Sequence, residues 1–327
     1  MSRRIRMDDS YTALRSREPR PPARRRRPPS RRRARRNLRR RIVALVAVLG
    51  VVAAVVVTVA SAGGGGGAAQ PSAHAPTFFV RLQRLAGTGA GSFSASQHLS
   101  ENAAINRTLK YTPWVRVAGR QHREIALTFD DGPGPYTPAV LAILKREKVP
   151  ATFFEIGMME QWFYASTKQI VARGDVIGDH TETHPPMSEL SPTVQQQQLV
   201  QQTAAIGRNG APFPRLFRPP YGLFNSTTLQ LLHHYHMLMV LWTVDTNDYT
   251  RPGVKAIVHS AIAGARPGAI ILMHDGGGNR QETVDALPQI IKDLRARGYK
   301  LVTVPQLLVD NPAPRNQNIS AILGSGG

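Results

Sequence analysis

The chain has 327 residues, no cysteine and a formal net charge of +21. That length holds one large domain or two modest ones. The missing cysteine excludes disulfides, thiolate metal sites and cysteine nucleophiles, and it suits an extracellular protein without fixing the compartment. The charge is uneven: residues 1–41 carry 18 arginines, no lysine and three acids, Asp8, Asp9 and Glu18, so the basic character belongs to this tail.

Residues 1–41 are rich in Arg, Pro and Ser and have too few apolar groups to bury a core, so they read as a disordered basic tail. Ile42–Ala60 is a run of 19 uncharged residues whose only polar member is Thr58. As a helix it is roughly 28 Å long, close to the hydrocarbon thickness of a bilayer. One transmembrane helix is therefore expected over 42–62. Arg39, Arg40 and Arg41 keep the N-terminus cytoplasmic, which places the rest of the chain outside the cell. Ala60-Ser61-Ala62 has the small-x-small form of a cleavage site, so secretion after cleavage near Ala62 is the alternative; the apolar run is longer than such signals use. The tail's expected partners are anionic lipid headgroups. It would hold nucleic acid only electrostatically and without specificity.

Residues 63–122 read as an extracellular linker or juxtadomain region that opens on the flexible spacer Gly63–Gly67. Within it, PTFFVRLQRLA and ENAAINRTLKYTPWVRV have the character of a short helix and a short strand. From residue 123 to 309 short apolar runs alternate with helical stretches. Strands are expected at Glu124–Phe129, Ala151–Ile156, Asp175–Asp179, near Leu216, at Met237–Val244, Ala269–Met273 and Lys300–Val304. Helices are expected at Thr137–Glu147, with Thr137 as N-cap, through Gln169–Ala172, at Gln195–Gln202 after the Ser191 cap, at Thr227–Tyr235, Val254–Ala265 and Glu282–Arg297. This alternation predicts an α/β parallel sheet covered by helices. Seven or eight units favour a barrel with its active site at the C-terminal strand ends. Residues 310–327 read as a flexible C-terminal tail.

Ionisable residues gather at those strand ends. The first strand leads into Thr128-Phe129-Asp130-Asp131-Gly132-Pro133 and the third into His180-Thr181-Glu182-Thr183-His184. The fourth ends in Arg218-Pro219-Pro220-Tyr221-Gly222, the fifth in Asp245 and Asp248-Tyr249, the sixth in Leu272-Met273-His274-Asp275-Gly276. Each alone passes for a turn or a corner. Loop turns do not need an arginine, three histidines and five aspartates on one rim. The chemistry that does is metal-assisted hydrolysis. Two histidines and a carboxylate hold a divalent ion, a second carboxylate acts as base, and a further histidine protonates a leaving amine.

These residues resemble the polysaccharide deacetylase family, also called the NodB-homology family or carbohydrate esterase family 4, over about Glu124 to Leu308. All five of its ordered motifs are present, and Thr-Phe-Asp-Asp-Gly-Pro and Arg-Pro-Pro-Tyr-Gly are the specific ones. The resemblance implies a distorted (β/α)7 barrel that removes acetyl groups from N-acetylated sugars, a hydrolase acting on carbon–nitrogen bonds other than peptide bonds. It implies Asp130 as general base, Asp131, His180 and His184 as metal ligands, and Arg218 as the group holding Asp130. His274 becomes the general acid, oriented by Asp248. The Tyr221 N–H would steady the oxyanion, and Leu272, with Tyr249 beside it, would line the acetyl pocket. Zinc is the expected ion, with cobalt also compatible with the donor set.

The chain departs from the family pattern at Tyr249, where Trp is usual, at Asp179, where Asn is usual, and at Glu182, where a neutral or aromatic residue is usual. The expected function is removal of N-acetyl groups from an N-acetylglucosamine polysaccharide, peptidoglycan first, at the cell envelope. The alternatives are xylan, chitooligosaccharides or a non-sugar amide or imide as substrate, or an inactive, membrane-tethered wall-binding protein.

Overall fold

The computed structural model describes residues 95–319. The basic tail, the apolar run 42–62 and the spacer lie outside the described residues. Among the described residues, no helix is long and apolar enough to cross a membrane.

Among the described residues, nine strands form one sheet. In chain order the elements are α1 (Ala95–Leu109), β1 (Trp114–Val115), β2 (Glu124–Gly132), α2 (Thr137–Glu147), β3 (Thr152–Glu155), α3 (Glu160–Arg173), β4 (Val176–Asp179) and α4 (Pro192–Gly207). There follow β5 (Leu216–Phe217), α5 (Ser226–His234), β6 (Leu238–Val240), β7 (Val244–Asp245), α6 (Val254–Ala263), β8 (Ile270–His274), α7 (Gln281–Ala296), β9 (Lys300–Val302) and α8 (Val304–Asp310). The sheet order is β1-β6-β5-β4-β3-β2-β8-β7, with β9 on the lower half of β2. Every strand pair is parallel.

The expected barrel takes the form of a curled half-barrel. The strand predicted over 237–244 is two short strands: β6 pairs with β5 and β1, and β7 pairs with β8. Between them the chain changes neighbours. The Leu241 N–H donates to the Val115 carbonyl at 2.7 Å and the Thr243 N–H to the Ile270 carbonyl at 2.9 Å. An antiparallel bridge from Val117 to Ala269 draws the β1 edge toward β8.

Alternation along the central strand sorts its side chains. Ile125, Leu127 and Phe129 of β2 join Phe153, Ile271 and Met273 in the large core beneath α2, α6 and α7. The opposite face carries Ala126, which packs with Phe154, Val240 and Ile270 inside the curl, and then Thr128 and Asp130. A period of two thus delivers Asp130 to the interior. The helix α7 meets the sheet through Thr283, Ala286, Leu287, Ile290, Ile291 and Leu294, spaced as one helical face.

Three sequence expectations shift. Thr137 is the first residue of α2 rather than its cap, since its hydroxyl is spent elsewhere: it donates to Asp275 Oδ2 at 2.6 Å and accepts the Gly134 N–H at 2.7 Å. The part of the 63–122 linker that is described belongs to the fold, because β1 joins the sheet and Ala104 and Ile105 of α1 are buried with Leu307 and Leu308 of α8. The described start of the 310–327 tail is likewise bound to the domain, through a buried Asn311 that donates to Glu124 Oε2 at 2.9 Å.

Phe153 is fully buried and stacks on Phe129 with ring centroids 5.2 Å apart. Phe153→Ala is expected to cost about 3–5 kcal/mol of stability, measured by urea unfolding.

Candidate active site

The site begins with an irregularity in β2. Asp130 pairs with Phe154 and Gly132 with Glu155, so Asp131 is an extra residue in the ladder and adopts φ 69°. A bulge re-aims the side chain it carries. It brings to one site two adjacent carboxyls that ordinary pleating would set on opposite faces of the sheet, so that both lie within 3.7 Å of His180 Nε2. Thr181, His184 and Tyr221 also have positive φ, at 71°, 61° and 58°. Each such non-glycine residue costs of order 1–3 kcal/mol and persists only where its surroundings fix it.

Three donors converge: among the described residues, Asp131, His180 and His184 place one ligand atom each within 4.8 Å of one another. The His180 Nδ1 lies 2.7 Å from the Arg218 carbonyl. That carbonyl only accepts, so the proton sits on Nδ1 and Nε2 presents its lone pair. His180 Nε2 is 3.6 Å and His184 Nε2 3.1 Å from Asp131 Oδ1, which is buried without an aligned hydrogen bond. An imidazole lone pair facing a carboxylate fits a divalent cation, and the backbone hydrogen bond to His180 is the kind of outer support that fixes such a ligand.

Beside this group lies an ion pair. Arg218 is fully buried and donates to Asp130 Oδ1 at 2.6 Å, Thr128 Oγ1 at 2.9 Å and the Val240 carbonyl at 3.0 Å. Its guanidinium lies 4.1 Å from the Phe154 ring centroid. With Oδ1 occupied, Asp130 keeps Oδ2 toward His180 Nε2, 3.7 Å away.

His274 closes β8. Its Nδ1 is 2.7 Å from Asp248 Oδ1, and its backbone N–H donates to Asp248 Oδ2 at 2.8 Å. The Thr283 hydroxyl adds a third bond to that carboxylate at 2.7 Å. Burial disfavours the imidazolium, but the charge and hydrogen bond of Asp248, with Asp131 and Asp130 behind it, raise His274 to about 9. The Tyr249 ring stands edge-on to His274 at 5.4 Å and the Tyr221 ring edge-on to His184 at 4.8 Å. Leu272, 3% exposed, sits two residues before His274 on the same face of β8. All ten residues singled out from the sequence therefore lie on the strand-end rim.

Among the described residues, the convergent donor set contains neither Asp179 nor Glu182. Asp179 Oδ1 caps the Thr181 N–H at 2.7 Å, and burial raises its carboxyl well above the usual range. Burial also raises Glu182. Its Oε2 lies where a side chain on Gly157 would be.

One rim residue had no role assigned from the sequence. Asp275, fully buried, donates its N–H to the Asp130 carbonyl at 3.1 Å and accepts from Thr137. Burial pushes its carboxyl up to about 7, against the Thr137 bond and with help from Asp131 and Asp130. Gly276 and Gly277 follow because a Cβ at either would strike Asp131. The Asp-Gly-Gly run reads as a turn, and only the fold shows that it walls the bulge.

A model of polysaccharide deacetylases matches residues 118–240. A chitooligosaccharide deacetylase of Bradyrhizobium sp. (strain ANU 289) is 39% identical over 57% of this chain and 90% of its own. The chain belongs to the polysaccharide deacetylase family. A peptidoglycan-N-acetylglucosamine deacetylase of Bacillus cereus is 38% identical over 56% of this chain and 87% of its own. A solved peptidoglycan N-acetylglucosamine deacetylase, bound to a hydroxamate-type benzamide, superposes with TM-score 0.59 and 32% identity over 64% of this chain and 97% of that one. Membership of the polysaccharide deacetylase family makes this chain a deacetylase by class and the half-barrel its family fold.

Arg218→Met removes the counter-charge of a buried carboxylate, and about 3–5 kcal/mol of stability should be lost, read from chemical denaturation.

Proposed function

We propose that this chain is a metal-dependent deacetylase that hydrolyses the N-acetyl amide of N-acetylglucosamine in peptidoglycan. The observation that carries the reading is the Asp131–His180–His184 donor set flanked by two separate proton-handling pairs, Asp130–Arg218 and His274–Asp248. The three donors would hold the cation, with zinc as the ion their chemistry suits and cobalt as the second choice. When bound, the cation supplies a Lewis acid for the amide carbonyl and an acidified water.

The chain's own groups do the rest. Asp130 takes the proton of the attacking water at Oδ2, while Arg218 fixes Oδ1. The Tyr221 N–H donates to the oxygen that gains charge. Leu272 and Tyr249 bound the pocket for the acetyl methyl. As the C–N bond breaks, His274 gives its Nε2 proton to the leaving amine, and acetate and a free glucosamine result. Asp248 holds Nδ1 and so directs Nε2 outward.

Peptidoglycan is supported by the Bacillus cereus relative and by the anchor read at residues 42–62, which would put the domain outside the membrane facing the wall. Cleavage near Ala62 would release the same domain. Chitooligosaccharides are the second substrate, supported by the Bradyrhizobium relative. The complete set of acid, base and donors weighs against an inactive binding protein.

The test is acetate release from peptidoglycan and N-acetylated chitooligomers, with and without chelator. Release should stop with chelator and fall about 10²–10⁴-fold in His274→Ala, as loss of a general acid requires. Chelator-insensitive release, or none from either glycan, contradicts the reading. The acid form of His274 exists below a pKa of about 9 and is lost above it. The rate should therefore decline as pH rises through about 9. In Asp248→Asn that limb should move at least about one pH unit lower, because the charge that raises the imidazole is gone.

A further inference from the structure

Residues 311–319 leave α8 beside the start of β2 and run up the β1 side of the curled sheet. Asn311 anchors them, its amide on Glu124 Oε2 and its Oδ1 accepting the His122 N–H at 2.6 Å. The Ala313 carbonyl accepts the Tyr111 hydroxyl at 2.8 Å. Gln317 then serves as a neighbouring strand would. Its Oε1 accepts the N–H of Arg116 at 2.8 Å and of Val117 at 3.1 Å, just past β1. Donors on a sheet edge are thereby satisfied. The Trp114 indole donates to the Gln317 carbonyl at 3.3 Å, and Arg116 to the Asn318 carbonyl at 2.8 Å.

The described part of the segment ends on Ile319, half-buried against a small cluster of Leu241, Trp242 and Leu272. This cluster borders the chemistry on two sides. Leu272 precedes His274 by two residues on the inner face of β8. The Trp242 ring lies 5.8 Å from the Arg218 guanidinium, which itself holds Asp130.

We propose that residues 311–319 are a strap that completes the acyl-binding wall, with Ile319 a positioning residue that fixes Leu272 and Trp242 and thereby limits the acyl chain to acetyl. The proposal rests on the deacetylase reading above. It assigns work to a segment outside the five motifs. The ligand concerned is the short apolar end of the N-acyl group. Ile319 acts behind the wall, so its removal should loosen the pocket without touching an acid, a base or a metal donor.

The test compares kcat/KM for N-acetyl and N-butanoyl chitotetraose in the full-length chain, as wild type, Ile319→Ala, Ile319→Val and Gln317→Ala. Ile319→Ala should raise the butanoyl-to-acetyl ratio by about fivefold or more, within what a few methylenes supply in an apolar pocket. Gln317→Ala should shift it in the same direction by freeing the strap, and Ile319→Val, which keeps a branched apolar side chain, should restore it. A ratio unchanged in both alanine variants of an active enzyme overturns the proposal. So does an equal fall on both substrates, which is what a merely structural role produces. A wild type that releases neither acyl group fails the deacetylase reading itself, an outcome distinct from either.

Discussion

The site is organised around one buried cation. Arg218 is fully enclosed, yet its guanidinium finds a carboxylate, a hydroxyl and a backbone carbonyl, with Phe154 beneath it. A charge so placed is tolerable only when paired and fully hydrogen-bonded. Each bond also ties together separate strands: β2 through Thr128 and Asp130, the end of β6 through Val240, and β3 through Phe154. The Arg218 carbonyl, on the same residue, fixes the tautomer of His180. One side chain and its backbone thus align the proposed base and one proposed metal donor at once.

A second constraint follows from charge. Asp130, Asp131, Asp248 and Asp275 crowd one rim, and like charges at this depth repel strongly. The fold keeps them apart by giving each a different partner: Arg218, the two histidines, His274 and Thr137. The β2 bulge re-aims Asp131 toward the two histidines, and Gly276 and Gly277 leave room for it. The positive-φ residues at Asp131, Thr181, His184 and Tyr221 show backbone strain concentrated where donors must converge.

Much of this was legible in the sequence, and the reason is local. The strands of the domain alternate with helices, and each proposed acid, base or donor falls at a strand end, where a parallel sheet must place it. What was hidden depends on contacts distant along the chain. Thr137 reads as a cap until Asp275 claims its hydroxyl, 138 residues away. Asp275 reads as turn chemistry until its burial is seen. The two-residue β1 has no periodicity to find, and residues 311–319 are polar and proline-containing, with no pattern that announces attachment to Arg116, some 200 residues earlier. The bulge escapes because Asp-Asp-Gly looks the same whether its aspartates continue a ladder or break it.

The central claim is a division of labour between two adjacent aspartates, Asp130 for the proton and Asp131 for the cation. Zinc affinity by calorimetry, set beside acetate release, tests it in Asp130→Asn and Asp131→Asn. The account predicts that Asp130→Asn binds zinc within about threefold of wild type while turnover falls about 10²–10⁴-fold. Asp131→Asn should lose zinc affinity by at least about 10–100-fold, the loss already expected from disturbing a ligand's support alone. Equal loss of zinc in both variants, or turnover that survives Asp130→Asn, would contradict it.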